Sequence, residues 1–160
     1  MIYFISALLL ALMCGLFFTW TISVTPGLAK LDTSGYLLAM QSLNKAILNP
    51  AFYIIFIGSI IILPVCTFLL FNVGTDRKFY YLLTATIIYL LGSVLVTFLG
   101  NVPINNELEA LNLNSMNQEE LETFRAGFES KWNRMNLIRT LSSVSALCLL
   151  IFPLIFSSDS

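Results

Sequence analysis

The polar side chains of this chain that are unusual for their surroundings fall into three short groups. Gln41, Asn44 and Lys45 stand at i, i+3 and i+4, followed by Asn49-Pro50. Asn101, Pro103, Asn105 and Asn106 form the second group. Trp132, Asn136 and Arg139 stand at i, i+4 and i+7, one stripe of a helix. Arg139 lies at the entrance of an apolar run, with no acid close by on its own helix. A guanidinium at a membrane boundary must snorkel, pair or face a polar cavity. Its donors need amide oxygens, backbone carbonyls or a bound anion as acceptors. Two readings meet this pattern. In the first, the amides and the Arg are hydrogen-bonding glue between extramembrane segments and the spans beneath. In the second, they line a pocket that receives a ligand. The readings are compatible. Gln41, Asn44, Asn101, Asn105, Trp132, Asn136 and Arg139 are the candidate ligand-binding residues, expected to converge at one end of the molecule.

Other chemistries are excluded by what the chain lacks. There is no histidine, so His-ligated haem, iron or copper and a Ser-His-Asp triad have no residue to build on. Cys14, Cys66 and Cys148 form no C-x-x-C pair, and each sits in an apolar run where Cys acts as a small hydrophobe. The apolar runs carry no Asp or Glu, which argues against proton-coupled transport and membrane di-iron chemistry. The six glutamates, Glu107 to Glu129, read as a solvated face. Eight Lys+Arg against nine Asp+Glu leave no basic field for a nucleic acid. No metal and no cofactor is expected.

The elements that must position these groups follow from hydropathy. Hydrophobic residues make up 58 % of the 160 and charged residues 11 %, against about 25 % charged in soluble domains. Uncharged runs cover 2–24, 50–75 and 79–103; a fourth, with Arg139 at its entrance, covers 137–156. Twenty-three residues span roughly 35 Å as a helix, enough to cross a ~30 Å hydrocarbon core. The runs are continuously apolar, which disfavours membrane strands. The first lacks a basic n-region and an A-x-A site and is too long for a signal peptide, so it reads as a retained span. The expectation is one integral membrane domain over 1–160 in the cell membrane. Its fold is all-α: a four-helix transmembrane bundle (spans about 2–24, 50–73, 79–100 and 137–156) with an extramembrane helical cap.

The connections supply the cap. Pro26-Gly27 signals a turn after the first span. Asp32, Thr33 or Ser34 can then cap a helix whose Leu37, Met40, Leu43, Ile47 and Leu48 form one apolar face, ending at Pro50. Gly74-Thr75-Asp76-Arg77-Lys78 is a tight hairpin. Asn117-Gln-Glu-Glu120 has capping-box spacing and opens one long helix that becomes the fourth span. Its Leu121, Phe124 and Phe128 need the amphipathic helix of the first connection, which emerges on the same side. Ala7, Ala11, Gly15 and Thr19, together with Gly58, Ser142 and Ala146, predict close helix contacts. Phe17, Phe18 and Trp20 fit an interfacial belt. The density of Arg77 and Lys78 in the hairpin puts both termini in the cytoplasm and the cap outside, against the larger raw count on the cap side.

The motifs also carry a resemblance. Val-Thr-Pro-Gly-Leu (24–28), Met40-Gln-Ser-Leu-Asn44 and Ile47-Leu-Asn-Pro-Ala-Phe52 resemble the first half of the anthrone oxygenase-like family of small membrane proteins. Asn101-Val-Pro-Ile-Asn-Asn106 resembles its second motif, and Trp132-Asn-Arg-Met-Asn136-Leu-Ile-Arg139-Thr140 its third, W-x-x-W-[NH]-x-x-R-T. Fungal members convert anthrones to anthraquinones without a classical cofactor. The resemblance therefore implies cofactor-free oxidation of a lipophilic, electron-rich aromatic. The alternative is a non-catalytic membrane protein that binds a lipid-like ligand or a protein partner; membrane lipid is a partner on either reading. Met135 stands where the family pattern has Trp, and Asn136 where some members have His. A base would then have to be water or a Lys, and Lys45 is the one Lys on the suspected face.

A variant with Cys14, Cys66 and Cys148 all replaced by Ala is expected to keep wild-type expression and thermal stability; a clear loss from any one replacement contradicts the inert reading. In that background, a cysteine introduced at Asp76 should label from the cytoplasm and one at Glu119 from outside. The reverse pattern overturns the orientation.

Overall fold

The computed structural model describes residues 1–155, so the end of the fourth predicted span at Phe156 lies outside the described residues. Among the described residues there are five helices and no strand: α1 (Ile2–Leu28), α2 (Thr33–Ile47), α3 (Pro50–Val73), α4 (Arg77–Ala110) and α5 (Gln118–Ile155). All but α2 are long and apolar enough to cross a membrane. At 1.5 Å per residue the 38 residues of α5 reach roughly 57 Å, so α5 must project well beyond a ~30 Å core.

The helix starts are written in local capping chemistry. Asp32, Asn49 and Asp76 accept through Oδ1 from the backbone N–H of Gly35 (2.6 Å), Phe52 (3.0 Å) and Phe79 (3.0 Å). At α5 the box is reciprocal: the Glu120 N–H donates to Asn117 Oδ1 at 3.0 Å and the Asn117 N–H to Glu120 Oε2 at 2.8 Å.

Two helices overrun the boundaries expected of them. α1 continues through Pro26-Gly27 to Leu28, so that pair makes no turn. α4 continues past residue 100, through Pro103, to Ala110. The cause is the same at both sites. π-helical turns at Trp20–Val24 and Thr97–Asn101 come just before each proline, and each proline falls in the first turn of the α-helical segment that follows. The wider π turn before each proline makes room for its ring and its missing N–H without ending the helix. The Thr25 hydroxyl takes up the Trp20 carbonyl at 3.1 Å.

The bundle is a square in which α1 and α4 each pack against both α3 and α5. Leu10, Met13 and Phe17 of α1, Leu63 and Cys66 of α3, Leu82 and Tyr89 of α4, and Leu150 of α5 fill its centre. Lipid removes the hydrophobic drive between helices, so close packing and hydrogen bonds must hold them. Ser59 meets Tyr89 (2.7 Å), Thr67 meets Thr86 (2.9 Å), Ser93 meets Ser143 (2.8 Å), and the Tyr3 hydroxyl donates to the Leu150 carbonyl. Small residues matter at three contacts, one of them Gly100, where a Cβ would lie 2.5 Å from Met135 Sδ. A Cβ on Gly92 would lie 2.0 Å from Ser142 Oγ, and one on Gly58 3.0 Å from a Leu9 methyl. The stripe of Ala7, Ala11, Gly15 and Thr19 is a correction to the sequence reading. Ala11, Gly15 and Thr19 are exposed, and a Cβ on Gly15 would touch nothing within 4 Å. The bundle face of α1 is instead its large side chains, which fill the centre that small residues would leave empty.

The cap is a second core. Tyr36, Leu37 and Met40 of α2 pack with Leu108, Leu113, Leu121, Phe128 and Trp132. Arg125 locks it to the end of α1: its guanidinium donates to the carbonyls of Ala29 (3.1 Å) and Leu31 (2.8 Å), pairs with Glu129 (2.9 Å) and covers the Tyr36 ring at 4.4 Å. Burial, reinforced by Glu129 and opposed by Arg125, pushes the Tyr36 phenol far up, so it stays neutral.

Gly92→Ala is expected to cost about 1–3 kcal/mol of stability by forcing α4 from α5, and Ser142→Gly in the same chain to restore most of it. Gly15→Ala should be neutral. Equal melting temperatures for the Gly92 and Gly15 variants would show that the α4–α5 contact is not close-packed.

Candidate ligand-binding site

Trp132, Asn136, Arg139 and Thr140 lie on one stripe of α5, turned inward where α1 and α4 approach. Asn136 uses its whole amide there. Its Nδ2 donates to Thr21 Oγ1 (2.9 Å) and to the Phe17 carbonyl (3.3 Å), while its Oδ1 accepts from an Arg139 terminal nitrogen at 2.8 Å. The Thr140 hydroxyl lies 2.8 Å from that of Thr21 and bonds the Phe17 carbonyl at 3.0 Å. Asn136 thus fixes both the α1–α5 spacing and the angle of the guanidinium.

Arg139 is only 7 % exposed, yet no carboxylate pairs with it among the described residues. Its other terminal nitrogen makes a long bond to Thr97 Oγ1 at 3.4 Å, and its Nε has no partner within the protein. Aromatic faces take up some of the charge: Phe17 at 4.5 Å and Trp132 at 5.6 Å from ring centre to guanidinium carbon.

The guanidinium faces a cavity of about 420 Å³. α1 contributes Leu16, Phe17 and Trp20; α3 contributes Phe52, Tyr53, Phe56 and Ile57; α4 contributes Thr97, Phe98, Asn101, Val102 and Asn105. α2 and the link after it close the top with Asn44, Ile47 and Leu48. Tyr53, Ile57 and Phe98 are also exposed on the outer faces of α3 and α4, so the cavity has a lip towards the apolar belt. Trp132 packs against Trp20 with ring centres 4.8 Å apart and planes tilted by 44°, and donates its indole N–H to Asn105 Oδ1 at 2.9 Å. Asn101 is 1 % exposed, and neither its Nδ2 nor its Oδ1 has a protein partner; Asn44 Nδ2 is likewise unpaired. Each such group costs about 1–3 kcal/mol when buried and unsatisfied. These unpaired atoms have essentially no accessible surface, so they lie behind the cavity wall, and the guanidinium of Arg139 is the charged group that lines it.

Asn44, Asn101, Asn105, Trp132 and Arg139 line this cavity, and Asn136 stands behind Arg139. Gln41 does not line it: its Nε2 donates to the carbonyls of Leu108 (2.9 Å) and Leu111 (3.2 Å), tying α2 to the end of α4. Lys45 is also elsewhere, 65 % exposed and paired with Glu109 at 2.7 Å. One turn of α2 separates Lys45 from Gln41, and both look away from the cavity that Asn44 enters. Phe17 and Trp20 form cavity wall rather than interfacial belt, whereas Phe18 is exposed. Thr21, Thr97 and Thr140 escaped sequence reasoning. Thr97 carries one usable signal, its place four residues before Asn101. No three His, Cys, Asp or Glu side chains among the described residues come together to hold a metal ion.

None of the curated proteins and none of the solved structures compared with the chain matches it. A family model described as anthrone oxygenase matches residues 52–149, which takes in every cavity residue of α3, α4 and α5 and stops short of Asn44. By that match, over more than half its length, the chain belongs to the anthrone oxygenase family.

Proposed function

We propose that this membrane protein is a multi-pass protein of the cell membrane that oxidises a lipophilic, electron-rich aromatic with dioxygen and without a cofactor. The observation that carries the reading is the buried guanidinium of Arg139, paired with no carboxylate among the described residues, on the wall of an aromatic-lined cavity. An anthrone-like substrate has its ring oxygen conjugated to a methylene carbon. Ring faces would lie on Trp20, Trp132 and Phe17, with the oxygen towards the guanidinium of Arg139. When the methylene loses a proton, the negative charge delocalises onto that oxygen. Fixed donors in a low-dielectric cavity stabilise the anion far more than the neutral form. The carbanion then meets dioxygen. The methylene gives up two hydrogens; one oxygen atom becomes the new carbonyl and the other leaves as water.

A second reading is ligand binding without catalysis. It is favoured by the absence, among the described residues, of any carboxylate or Lys from the cavity wall, which leaves the weakly acidic Tyr53 phenol as the one proton-exchanging group there besides Arg139.

Oxygen uptake on anthrone by the purified protein in lipid nanodiscs, above that of empty nanodiscs, tests the first reading. Arg139→Lys should lower kcat/KM by about 10²-fold with folding nearly intact, because a point charge cannot reproduce the planar fork. Wild-type protein that is stabilised by anthrone yet consumes no more oxygen than empty nanodiscs would leave the binding reading in its place.

A further inference from the structure

We infer that the cavity selects its ligand as an anion: the conjugate base of a weakly acidic, lipophilic phenol or enol, whose proton passes to bulk water and to no group of the protein. This rests on the reading of the cavity as the ligand site and adds which ligands qualify and where their proton goes.

The charges around the cavity are one-sided. Arg139 is its sole charged lining residue, and Tyr53 on α3 the sole other titratable one. α1, α2 and α4 bring only apolar, amide and hydroxyl groups to the wall. Lys45 of α2 is exposed and paired with Glu109 of α4, so neither faces the guanidinium. Lys131 and Arg134 of α5 line a separate outer groove with Val96, Leu99 and Ile138, and they add charge of the same sign as Arg139. No carboxylate of the described chain neutralises Arg139, and its Nε is unpaired.

The consequence follows from desolvation. A neutral ligand would exclude water from the cavity and leave a buried cation uncompensated. An anion supplies the missing counter-charge and accepts from the guanidinium of Arg139 on the cavity wall. An opposite charge within about 4–6 Å lowers the pKa of an acid by about 1–3 units. The site therefore ionises its ligand by stabilising the anion, and one proton is released to the medium for each ligand bound. A neutral lipophile of the same shape should be rejected.

The test uses 2-nitro-4-octylphenol, whose yellow phenolate reports its own ionisation, with the full chain in phosphatidylcholine nanodiscs. The bound phenol should ionise about one pH unit or more lower than in empty nanodiscs. Its methyl ether, which cannot ionise, should bind the wild-type protein about tenfold or more weakly. Arg139→Gln should abolish the shift, and Arg139→Lys, which keeps the charge, should retain part of it. The inference is overturned if the bound phenol titrates at or above its value in empty nanodiscs. It is equally overturned if the ether binds as well as the phenol, or if the wild-type protein binds neither. Should Arg139→Gln fail to fold, the phenol and ether on wild-type protein still decide. The two proposals also fail separately. Anthrone oxidation with no phenol shift removes this inference alone, and a phenol shift with no oxygen uptake removes oxidation alone.

Discussion

The structure turns on a guanidinium buried at the edge of the apolar zone with no acid among the described residues to pair it. Taking an unpaired charge out of water costs several kcal/mol even after relaxation. Arg139 is held there by the Asn136 oxygen, a long bond to Thr97 and the faces of Phe17 and Trp132. Those partners come from α1, α4 and α5. The Arg139 carbonyl itself receives the Ser93 hydroxyl at 3.1 Å. The same few residues that keep the charge in place therefore set where three helices meet. Removing the charge and loosening the bundle are linked consequences of one substitution.

The helices that supply those partners are irregular where they do so. A π turn inserts one residue into the ladder and rotates everything beyond it relative to a plain α-helix. In α4 the π turns at Leu90–Leu95 and Thr97–Asn101 bracket the level of Arg139, and beyond them Asn105 reaches Trp132. In α1 the turn at Trp20–Val24 begins at Trp20 itself, which packs at a tilt against Trp132. The helices then pass their prolines without ending and carry on into the cap, whose core closes over the cavity. Gly92 adds the close α4–α5 approach that brings Thr97 within reach of Arg139.

Much of this is legible in residue types. Span length, the amphipathic face of α2 and the Asn117–Glu120 box depend on local hydropathy and local hydrogen bonds, and so they read directly. Arg139 stands out because a charge at a membrane boundary has few permitted surroundings. What does not read is rotation about a helix axis. Spacing puts Gln41, Asn44 and Lys45 near one another, yet only Asn44 enters the cavity, because the cap core of Tyr36, Leu37 and Met40 decides how α2 rolls. The small-residue stripe on α1 fails for the same reason: periodicity finds a face without saying which way it looks. Pro-Gly at 26–27 misleads because the π turn before it removes the conflict that would have ended the helix.

The central claim is that the Arg139 guanidinium, paired with no carboxylate among the described residues, lines an apolar cavity and takes an oxyanion there. The most direct measurement is an experimental structure of the protein with 2,6-dibromo-4-octylphenol, whose bromines mark its position unambiguously. The account predicts the phenol inside the cavity between Trp20, Trp132 and Phe98, its oxygen within about 3.2 Å of a guanidinium nitrogen of Arg139. A ligand found only on the outer surface, or an Arg139 guanidinium paired with a carboxylate, would contradict it.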